Sequence, residues 1–477
     1  MFYSLLILML PGTIPGLAQE YTTGSFWKSQ SIEKIIEPWH NCGLDSLNNI
    51  TPAYLDVNWQ PLNNDKSIFP GMVSRHLFSY STAYHLTGND KYLKQADRFY
   101  KFLISFGWDD HFGGWMNQLN DNRLPVDDEK DLFMQAYAIT GLTMYYHVTR
   151  NREVLSYIDE SIKIINKNAW DKKYKGGYFH SLNRDLSVLR TDKVFSPQLA
   201  PLSGYLLYLY AITREKKYLR ESEDIMELVL SKFKDPKTGW YLEGFTQKWE
   251  PLAIVNQNIN TGHNIEVAWV LLRLYELTDN EKYRQEALNL TNKLVNYNFD
   301  SEIGLWYKSV DRNDPLQHLD ETNWWTQAYG NMYQLYLHQQ TGDPRFLNYF
   351  KAGAGFWNKN LIDDEQGGAY LSVGRDGKIL DSRKAVRTKT SYHSMEHGLL
   401  NYLYLDFWIN QQPVDLYFSI DEKFRGKLYP LLLEEMDYSF SEVVINDADW
   451  QRIDQERGFI RIKGRGTKKL RVTLNAN

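Results

Sequence analysis

The chain has 477 residues, a formal net charge of -5, 43% hydrophobic residues and one cysteine. This length allows a large buried core with one smaller appendage. Lys and Arg are scattered, which excludes the basic stripe of a nucleic-acid-binding protein, and the lone Cys42 excludes an internal disulfide and a cysteine-rich metal site.

The first residues, MFYSLLILMLPGTIPGLAQE, resemble an export signal. An apolar run over Leu5–Leu10 is followed by Gly16-Leu17-Ala18, which suits a cleavage site, and the run is too short to span a bilayer. No Lys or Arg precedes the run, so a misassigned start is the alternative. We therefore expect a signal peptide over residues 1–18, an exported protein (periplasmic or secreted) and no transmembrane segment.

Residues Ser31–Ser67 show few periodic signals, and we expect them to pack on the rim of the fold. A helix is predicted from about Gly71 to Thr87, with Arg75 near its start. A buried Arg needs a carboxylate or a ligand oxygen, so both a structural ion pair and a substrate contact stay open.

A helix stop recurs along the chain every 62 to 65 residues, and a glycine before an aromatic or apolar residue keeps the same period. The stops are Thr87, Thr149, Thr213, Thr278 and Thr341, and the glycines are Gly114, Gly177, Gly239, Gly304 and Gly368. Two marks with one period indicate an internal repeat of a first helix, a short turn, a second helix and a long connection. The helix after Ser391 adds a sixth first helix without the stop.

Six helical hairpins can bury their apolar faces by closing into a ring, with the first helices inside. The repeat therefore predicts an all-α fold, an (α/α)6 barrel over residues 25–411. An open solenoid is the alternative, although solenoids usually have shorter periods and fewer long loops.

The long connections contain predicted β-hairpins, for example around Asn120–Arg123 and within Lys175–Leu189 and Gly367–Lys378. Every connection leads from a second helix to the next first helix, so all of them border the same mouth of the ring. Because loops of this length are usually functional, we expect the site at this mouth.

The repeat also separates the histidines into two groups. His85, His147 and His338 lie near helix C-termini and are interpreted as structural residues that interact favourably with the helix dipole. His263 and His393 lie at the opposite helix ends, two repeats apart, so a six-membered ring would bring both to one cavity. Glu266 follows His263 by one turn, at the depth of Arg75 in its own helix.

These residues and motifs resemble the N-acylglucosamine 2-epimerase superfamily, which includes cellobiose 2-epimerases and aldose–ketose isomerases. The resemblance covers Gly71–Leu405 and is carried by Arg75 in SRHLFSYSTAY and by DDHFGGWMNQLNDNRLPVDDEKDLFMQAYAI, TGHNIEVAWVLL, NWWTQAY and TSYHSMEH. It implies an (α/α)6 barrel that acts on free sugars without a metal or cofactor.

By this resemblance His263 and His393 would be the acid/base residues, and Glu266 would orient or polarise the site. The predicted substrate-binding residues are Arg75, Gln135, Gln198, Trp269, Trp324, Trp325, Gln327, Glu396 and His397.

The residue types suit the chemistry. Epimerising an aldose requires removal of the C2 proton beside a carbonyl, and an imidazole with a pKa near 6.5 is a suitable base. Arg75 could stabilise the enediolate, and a second histidine on the opposite face could return the proton inverted.

The sequence also departs from the family pattern. Gln198, Ala200 and Ser203 stand where the third first helix of the family has two histidines and a glutamate. Tyr329 replaces a glutamate, and Glu396 replaces an arginine. These exchanges predict a changed substrate, with a lost or altered activity as the alternative.

After Gln412 the apolar residues alternate, as at Val414, Leu416 and Phe418. This two-residue period predicts a small antiparallel β domain over residues 412–477. It could brace the helices or bind glycan, and we favour bracing.

The expected function is epimerisation or isomerisation at C2 of a free reducing mono- or disaccharide, with no nucleic-acid partner. A glycoside hydrolase is the main alternative, with carboxylates drawn from Asp128, Glu266, Asp320, Glu321 and Glu396. A sugar-binding scaffold without catalysis is the third candidate.

Overall fold

The computed structural model describes residues 20–43, 50–62, 65–434 and 437–477. The predicted signal peptide lies outside these ranges, so it stays a prediction. Within them, no helix is both long and apolar enough to cross a membrane.

Twelve helices form six pairs within the described residues, if widened turns are counted with the helices that they continue. The first helices are α2 (Pro70–Thr87), α4 (Leu132–Thr149), α6 (Ser196–Pro201 with Leu202–Leu206 and Leu207–Thr213), α8 (Thr261–Thr278), α10 (Trp324–Thr341) and α12 (Tyr392–Tyr402 with Leu403–Ile409). The second helices are α1 (Gly24–Gln30 with Ser31–Ile36 and Glu37–Asn41), α3 (Asp90–Phe102 with Leu103–Gly107), α5 (Arg152–Asn168), α7 (Lys216–Leu228 with Val229–Phe233), α9 (Glu281–Lys293 with Leu294–Asn298) and α11 (Pro344–Phe356 with Trp357–Leu361).

The first helices pack against one another in chain order, and α12 returns to contact α2. Every residue of α2 from Pro70 to Leu86 is buried, as expected for a helix with neighbours on all sides. The second helices bury one face each: in α3 the buried residues include Tyr92, Ala96 and Phe99, at helical spacing.

The recurring stop has one structure in five repeats. The Thr hydroxyl donates to the carbonyl four residues earlier, as Thr278 Oγ1 does to Leu274 O at 2.7 Å. The next residue is left-handed, for example Asp279 with φ 54°, and an Asn, Asp or Glu then precedes the second helix. Asn280 accepts from the backbone N–H of Lys282, so the turn both ends one helix and caps the next.

The helix α1 corrects the expectation for Ser31–Ser67. Residues 31–41 are helical, and α1 packs against α12 as the second helix of the sixth pair. Its buried residues Trp27, Ser31, Ile35 and Trp39 follow one another at intervals of four, a signal that the analysis of the sequence missed. The part from residue 50 onward does lie at the rim, where Leu55 pairs with Ala385 and Ile68 with Leu119.

The connections form short strands that pair from one repeat to the next. The strands are β1 (Gln118–Leu119), β2 (Pro125–Asp127), β3 (Lys130–Asp131), β4 (Ser181–Leu182), β5 (Val188–Arg190), β6 (Lys193–Val194), β7 (Gly244–Phe245), β8 (Asn258–Asn260), β9 (Phe299–Asp300), β10 (Leu305–Trp306), β11 (Ser309–Asp311), β12 (Glu321–Asn323), β13 (Ser372–Gly374) and β14 (Ile379–Asp381). Antiparallel pairs β3–β4, β6–β7, β8–β11 and β12–β13 join neighbouring connections.

Ion pairs repeat the same links between connections. Arg184 donates to Asp109, Arg312 to Asp235 and Arg375 to Asp300, each about one repeat apart. We call this set of paired connections the rim. It surrounds the N-terminal ends of the first helices.

The predicted C-terminal β region is present. Its strands are β15 (Val414–Ile420), β16 (Gly426–Leu428), β17 (Tyr438–Ile445), β18 (Ala448–Asp449), β19 (Ile453–Asp454), β20 (Phe459–Ile462) and β21 (Lys468–Ala476). They form the antiparallel sheets β15-β21-β17-β18 and β16-β20-β19.

The C-terminal β region covers the ends of the first helices opposite the rim. The Phe418 ring lies 4.8 Å from the His85 ring and 5.2 Å from the His147 ring. Burial lowers the pKa of His85 to about 4 and that of His147 well below its usual value. Both imidazoles are therefore neutral packing residues, which corrects the expected charge interaction with the helix dipole; His338 instead donates from Nδ1 to Asp343 O at 3.0 Å.

One buried ion pair joins this region to α8. Arg273 Nε donates to Glu434 Oε1 at 2.6 Å, and both side chains are almost fully buried. The guanidinium also lies over the ring of Trp269. A charge in this position depends on its partner, because water does not reach it.

We expect Glu434→Gln to lower the free energy of unfolding by about 3–5 kcal/mol, since it leaves Arg273 buried without a counter-charge. Urea unfolding followed by circular dichroism measures the change. Lys163→Ala is the matched control, because it breaks the exposed Lys163–Glu160 pair and should cost less than about 1 kcal/mol. Equal effects of the two substitutions would contradict a buried link between the helices and the β region.

Candidate active site

A pocket opens inside the rim, at the N-terminal ends of the first helices. Its volume is about 330 Å³, within the size range of small-molecule sites. It is lined by Arg75, Phe133, Tyr137, Ser196, Asn260, His263, Glu266, Lys308, Asn323, Trp324, Trp325, Leu371, Thr388 and His393. The sequence repeat predicted a functional site at this end of the helices, and His263 and His393 both lie here.

His393 is held as a neutral base by Arg75. Arg75 Nη2 donates to His393 Nε2 at 2.9 Å, so Nε2 carries the lone pair and Nδ1 the proton. Burial, the Arg75 charge and His263 together hold the pKa of His393 well below its usual value. Arg75 itself donates from Nη1 to Thr388 O at 2.7 Å and lies over the Tyr137 ring, with Cζ 3.6 Å from the ring centroid.

His263 has the opposite environment. It lies in the first turn of α8, and its Nδ1 is 2.9 and 2.8 Å from the two carboxylate oxygens of Glu243. Burial disfavours a charged imidazole, but the charge and hydrogen bond of Glu243, together with Glu266, outweigh it and raise the pKa of His263. The ring therefore favours the protonated form, with Nδ1–H directed at Glu243.

Glu266 lines the pocket one turn deeper than His263. Burial is the main cause that raises the pKa of this carboxyl to about 7, and the neighbouring Glu396 adds to it, while His263 and Ser203 oppose it. Glu266 contributes to the raised pKa of His263, but the carboxylate bonded to Nδ1 is that of Glu243.

Trp325 lies next to both histidines. Its ring centroid is 5.4 Å from that of His263 and 5.9 Å from that of His393. A Cβ on Gly262 would lie 2.2 Å from this indole, so a glycine is needed where α8 approaches α10. Trp324, the next indole, lies 6.0 Å from His393.

Three predicted substrate-binding residues do not line the pocket. Gln135, Gln198 and Gln327 each accept, through the side-chain amide, from a backbone N–H in the preceding connection. The donors are Trp115, Tyr178 and Trp306, and Asn264 holds Tyr241 in the same way at 3.0 Å. These amides fix the connections to the helices, which corrects their predicted contact with substrate.

Glu396 is also absent from the pocket wall. It is fully buried and accepts from the hydroxyls of Tyr208, Tyr329 and Tyr392 at 2.9, 2.7 and 3.1 Å. Tyr329 and Glu396 are the two positions that we expected to depart from the family pattern, and they bond to each other outside the pocket lining.

Trp269 and His397 are the remaining corrections. Trp269 is buried against Tyr404, to whose hydroxyl its Nε1 donates at 3.3 Å. The His397 ring lies between Trp27 and Trp357, at 4.7 and 4.8 Å, and burial lowers its pKa to about 3. Both side chains pack inside the fold, outside the pocket lining.

Glu243 was not among the predicted site residues. It lies two residues after the clamped Tyr241, as Lys308 lies two residues after the clamped Trp306. Lys308 lines the pocket, but Glu243 and the corresponding His180 do not, so this position in the repeat does not by itself predict a pocket residue. Within the described ranges, no group of three or more His, Cys, Asp or Glu residues is placed to hold a metal ion.

Comparison with known proteins identifies the family of the chain. Residues 54–396 match the family model of N-acylglucosamine 2-epimerase (GlcNAc 2-epimerase). The chain is similar to cellobiose 2-epimerase of Bacteroides fragilis, with 26% identity over 67% of this chain and 84% of that protein. Its fold is similar to the structure of cellobiose 2-epimerase from Bacillus thermoamylovorans, with a TM-score of 0.72 and 21% identity over 80% of this chain and 98% of the other.

A D-mannose isomerase structure is similar to the same extent, with a TM-score of 0.72 and 17% identity over 80% of this chain and 98% of the other. The family model spans most of the chain, including Arg75, His263 and His393. The chain belongs to the N-acylglucosamine 2-epimerase family.

Proposed function

We propose that the protein is an enzyme that epimerises or isomerises a free reducing sugar at C2 by proton transfer between histidines. The observation that carries the proposal is one pocket that holds two imidazoles with opposite partners, His393 bonded to the Arg75 guanidinium and His263 bonded to the Glu243 carboxylate. Enzymes separate acid and base roles by giving two titratable groups different environments, as these two have. Family membership supports the same reaction.

The base is His393. In the ring-opened aldose its Nε2 removes the C2 proton, and the C–H electron pair becomes the C1–C2 double bond of an enediolate. Arg75 holds Nε2 in the free protein, so its guanidinium turns from the imidazole to the developing oxyanion when sugar binds.

The acid is His263. Its Nδ1–H is engaged by Glu243, so Nε2–H is the proton available to a ligand in the pocket. Delivery of this proton to the opposite face of C2 gives the 2-epimer. Delivery to C1, with transfer of the O2 proton to O1, gives the ketose. The indole of Trp325, next to both imidazoles, offers a face on which the sugar can lie.

We infer that the six helix pairs form an (α/α)6 barrel over residues 25–411, with a β domain over 412–477. The closed sequence of contacts from α2 through α12 back to α2 supports a ring, and the return contact argues against an open solenoid. The strand β15 begins at Val414, next to the proposed boundary.

The hydrolase alternative is less well supported. A glycosidase needs two carboxylates about 5–10 Å apart across the scissile bond. Of the candidate carboxylates only Glu266 lines the pocket. Asp320 is exposed, Glu321 pairs with Lys308, Asp128 pairs with Arg184, and Glu396 is bonded to tyrosines.

We expect the wild-type protein to introduce solvent deuterium at C2 of at least one sugar in a panel of reducing mono- and disaccharides, followed by NMR in deuterated water. His263→Asn and His393→Asn should each lower the exchange rate by about 10²- to 10⁴-fold, the usual contribution of a general acid or base. Release of reducing ends from a glycoside would favour a hydrolase, and binding without exchange would favour a scaffold.

His180→Asn is the matched control for both substitutions. His180 pairs with Asp192 at 2.8 Å, much as His263 pairs with Glu243, but it lies outside the pocket lining. This variant should keep the wild-type rate, and circular dichroism should show that all three variants are folded. Full rates in both pocket variants would overturn the proposed proton transfer.

The pH dependence of kcat/KM should be bell-shaped. Protonation of His393 removes the base, and its lowered pKa places this limb below pH 6.5. Deprotonation of His263 removes the acid, and its raised pKa places that limb above pH 6.5. Glu266 titrates near pH 7, so the profile of Glu266→Gln separates its contribution. An alkaline limb below pH 6.5 would contradict the assigned roles.

A further inference from the structure

Glu243 is rigidly held between two connections. Its backbone N–H donates to Asn256 Oδ1 at 2.8 Å, and its carbonyl accepts from the backbone N–H of Phe195 at 2.9 Å. Asn256 is itself buried and returns a hydrogen bond to Gly244 O at 2.7 Å. The backbone of Glu243 is therefore held at the edge of the pocket, and its carboxylate is directed at His263.

We propose that Glu243 is the positioning residue of this site: it keeps the His263 imidazole charged and turned so that Nε2–H faces the pocket. The effect of Glu243 on catalysis rests on the proposed function. The contact between Glu243 and His263 is present without sugar. Glu243 does not line the pocket, and it acts on the substrate only through His263.

The groups around His263 show why a carboxylate is needed at this place. The rings of Phe195 and Trp325 pack against the imidazole at 5.6 and 5.4 Å and reduce its contact with water. His263 also lies in the first turn of α8, where the helix dipole disfavours a positive charge. His393 is a nearby imidazole with Arg75 bonded to it, so that side of the pocket provides no negative charge.

Two carboxylates favour the charged form of the His263 imidazole. Glu266, on the same helix, favours the charged imidazole through space, but its own pKa of about 7 leaves it partly protonated near neutral pH. Glu243 is the group in hydrogen-bond contact, with both oxygens within 2.9 Å of Nδ1. It consequently carries most of the stabilisation of the charged form.

The geometry also fixes the tautomer. When Nδ1–H is engaged by Glu243, a His263 that has given up one proton keeps the Nδ1 proton and exposes its lone pair at Nε2. The same nitrogen can then take a proton back from a ligand, so the residue is reset without rotation of the ring. A carboxylate on Nδ1 thus suits a histidine that must work in both directions of a reversible reaction.

The test compares Glu243→Gln with the wild-type protein by NMR titration of the His263 imidazole in the full chain, without sugar. Gln keeps an acceptor for Nδ1–H and removes the charge. We expect wild-type His263 to titrate above pH 6.5 and the variant to titrate at least one unit lower, which is tenfold less of the charged form at a pH above both values. Glu243→Asp should recover part of the shift, and a variant that titrates as wild type would overturn the proposal.

Kinetics provide the second readout. In Glu243→Gln the alkaline limb of the kcat/KM profile should move to lower pH by the same amount as the His263 titration. The acid limb set by His393 should not move with it to lower pH, because a less charged His263 repels a charged His393 less. Asp192→Asn is the matched control, because it removes the charge from the His180–Asp192 pair, which lies outside the pocket lining, and should leave both limbs unchanged. A uniform loss of rate with both limbs fixed would show a merely structural role and overturn the proposal.

The two readouts separate this inference from the proposed function. If no sugar exchanges deuterium at C2 but the His263 titration shifts as expected, the proposed function fails and the role of Glu243 in holding the charge stands. If exchange occurs and the titration does not shift, the function stands and the role of Glu243 fails.

Discussion

Burial of the first helices is the constraint on which the rest of the structure depends. Every residue of α2 from Pro70 to Leu86 is buried, so neighbours must surround the helix along its length and something must cover each end. The second helices supply the outer layer, the C-terminal β region covers one end, and the rim borders the other. At the rim a pocket reaches the helix termini, and the two histidines, Arg75 and Glu266 gather there.

The repeat in the sequence predicted this arrangement well, because its marks have local physical causes. A Thr hydroxyl bonded to a carbonyl and a left-handed residue end each first helix, and such short-range signals are visible without coordinates. The period then placed His263 and His393 at one mouth. The helix α1 was missed because it stands alone before the first repeat, apart from the partner α12 that buries it.

The substrate contacts were harder to predict, since a buried amide looks the same whether it binds sugar or protein. Gln198 bonds the backbone of Tyr178, twenty residues earlier, and this distance is set by the loop rather than by a helical or strand period. The contact between Tyr329 and Glu396 likewise becomes visible only in the structure, as a hydrogen bond of 2.7 Å. The role of Glu243 was equally hard to predict from the sequence, because its partner His263 lies on the next helix.

The rim has a mechanical consequence. Each hairpin is tied by strand pairing or an ion pair to the neighbour before it and the neighbour after it, as Asp109 with Arg184 and Asp300 with Arg375 illustrate. Swinging one hairpin outward would break links on both sides at once, and the backbone bonds among them are costly to leave unmade. The entrance therefore behaves as a stiff aperture of set width. Sugars would be sorted by whether they pass through it, and changes in which sugar is accepted would arise most easily at the hairpin tips, which project beyond the tied strands.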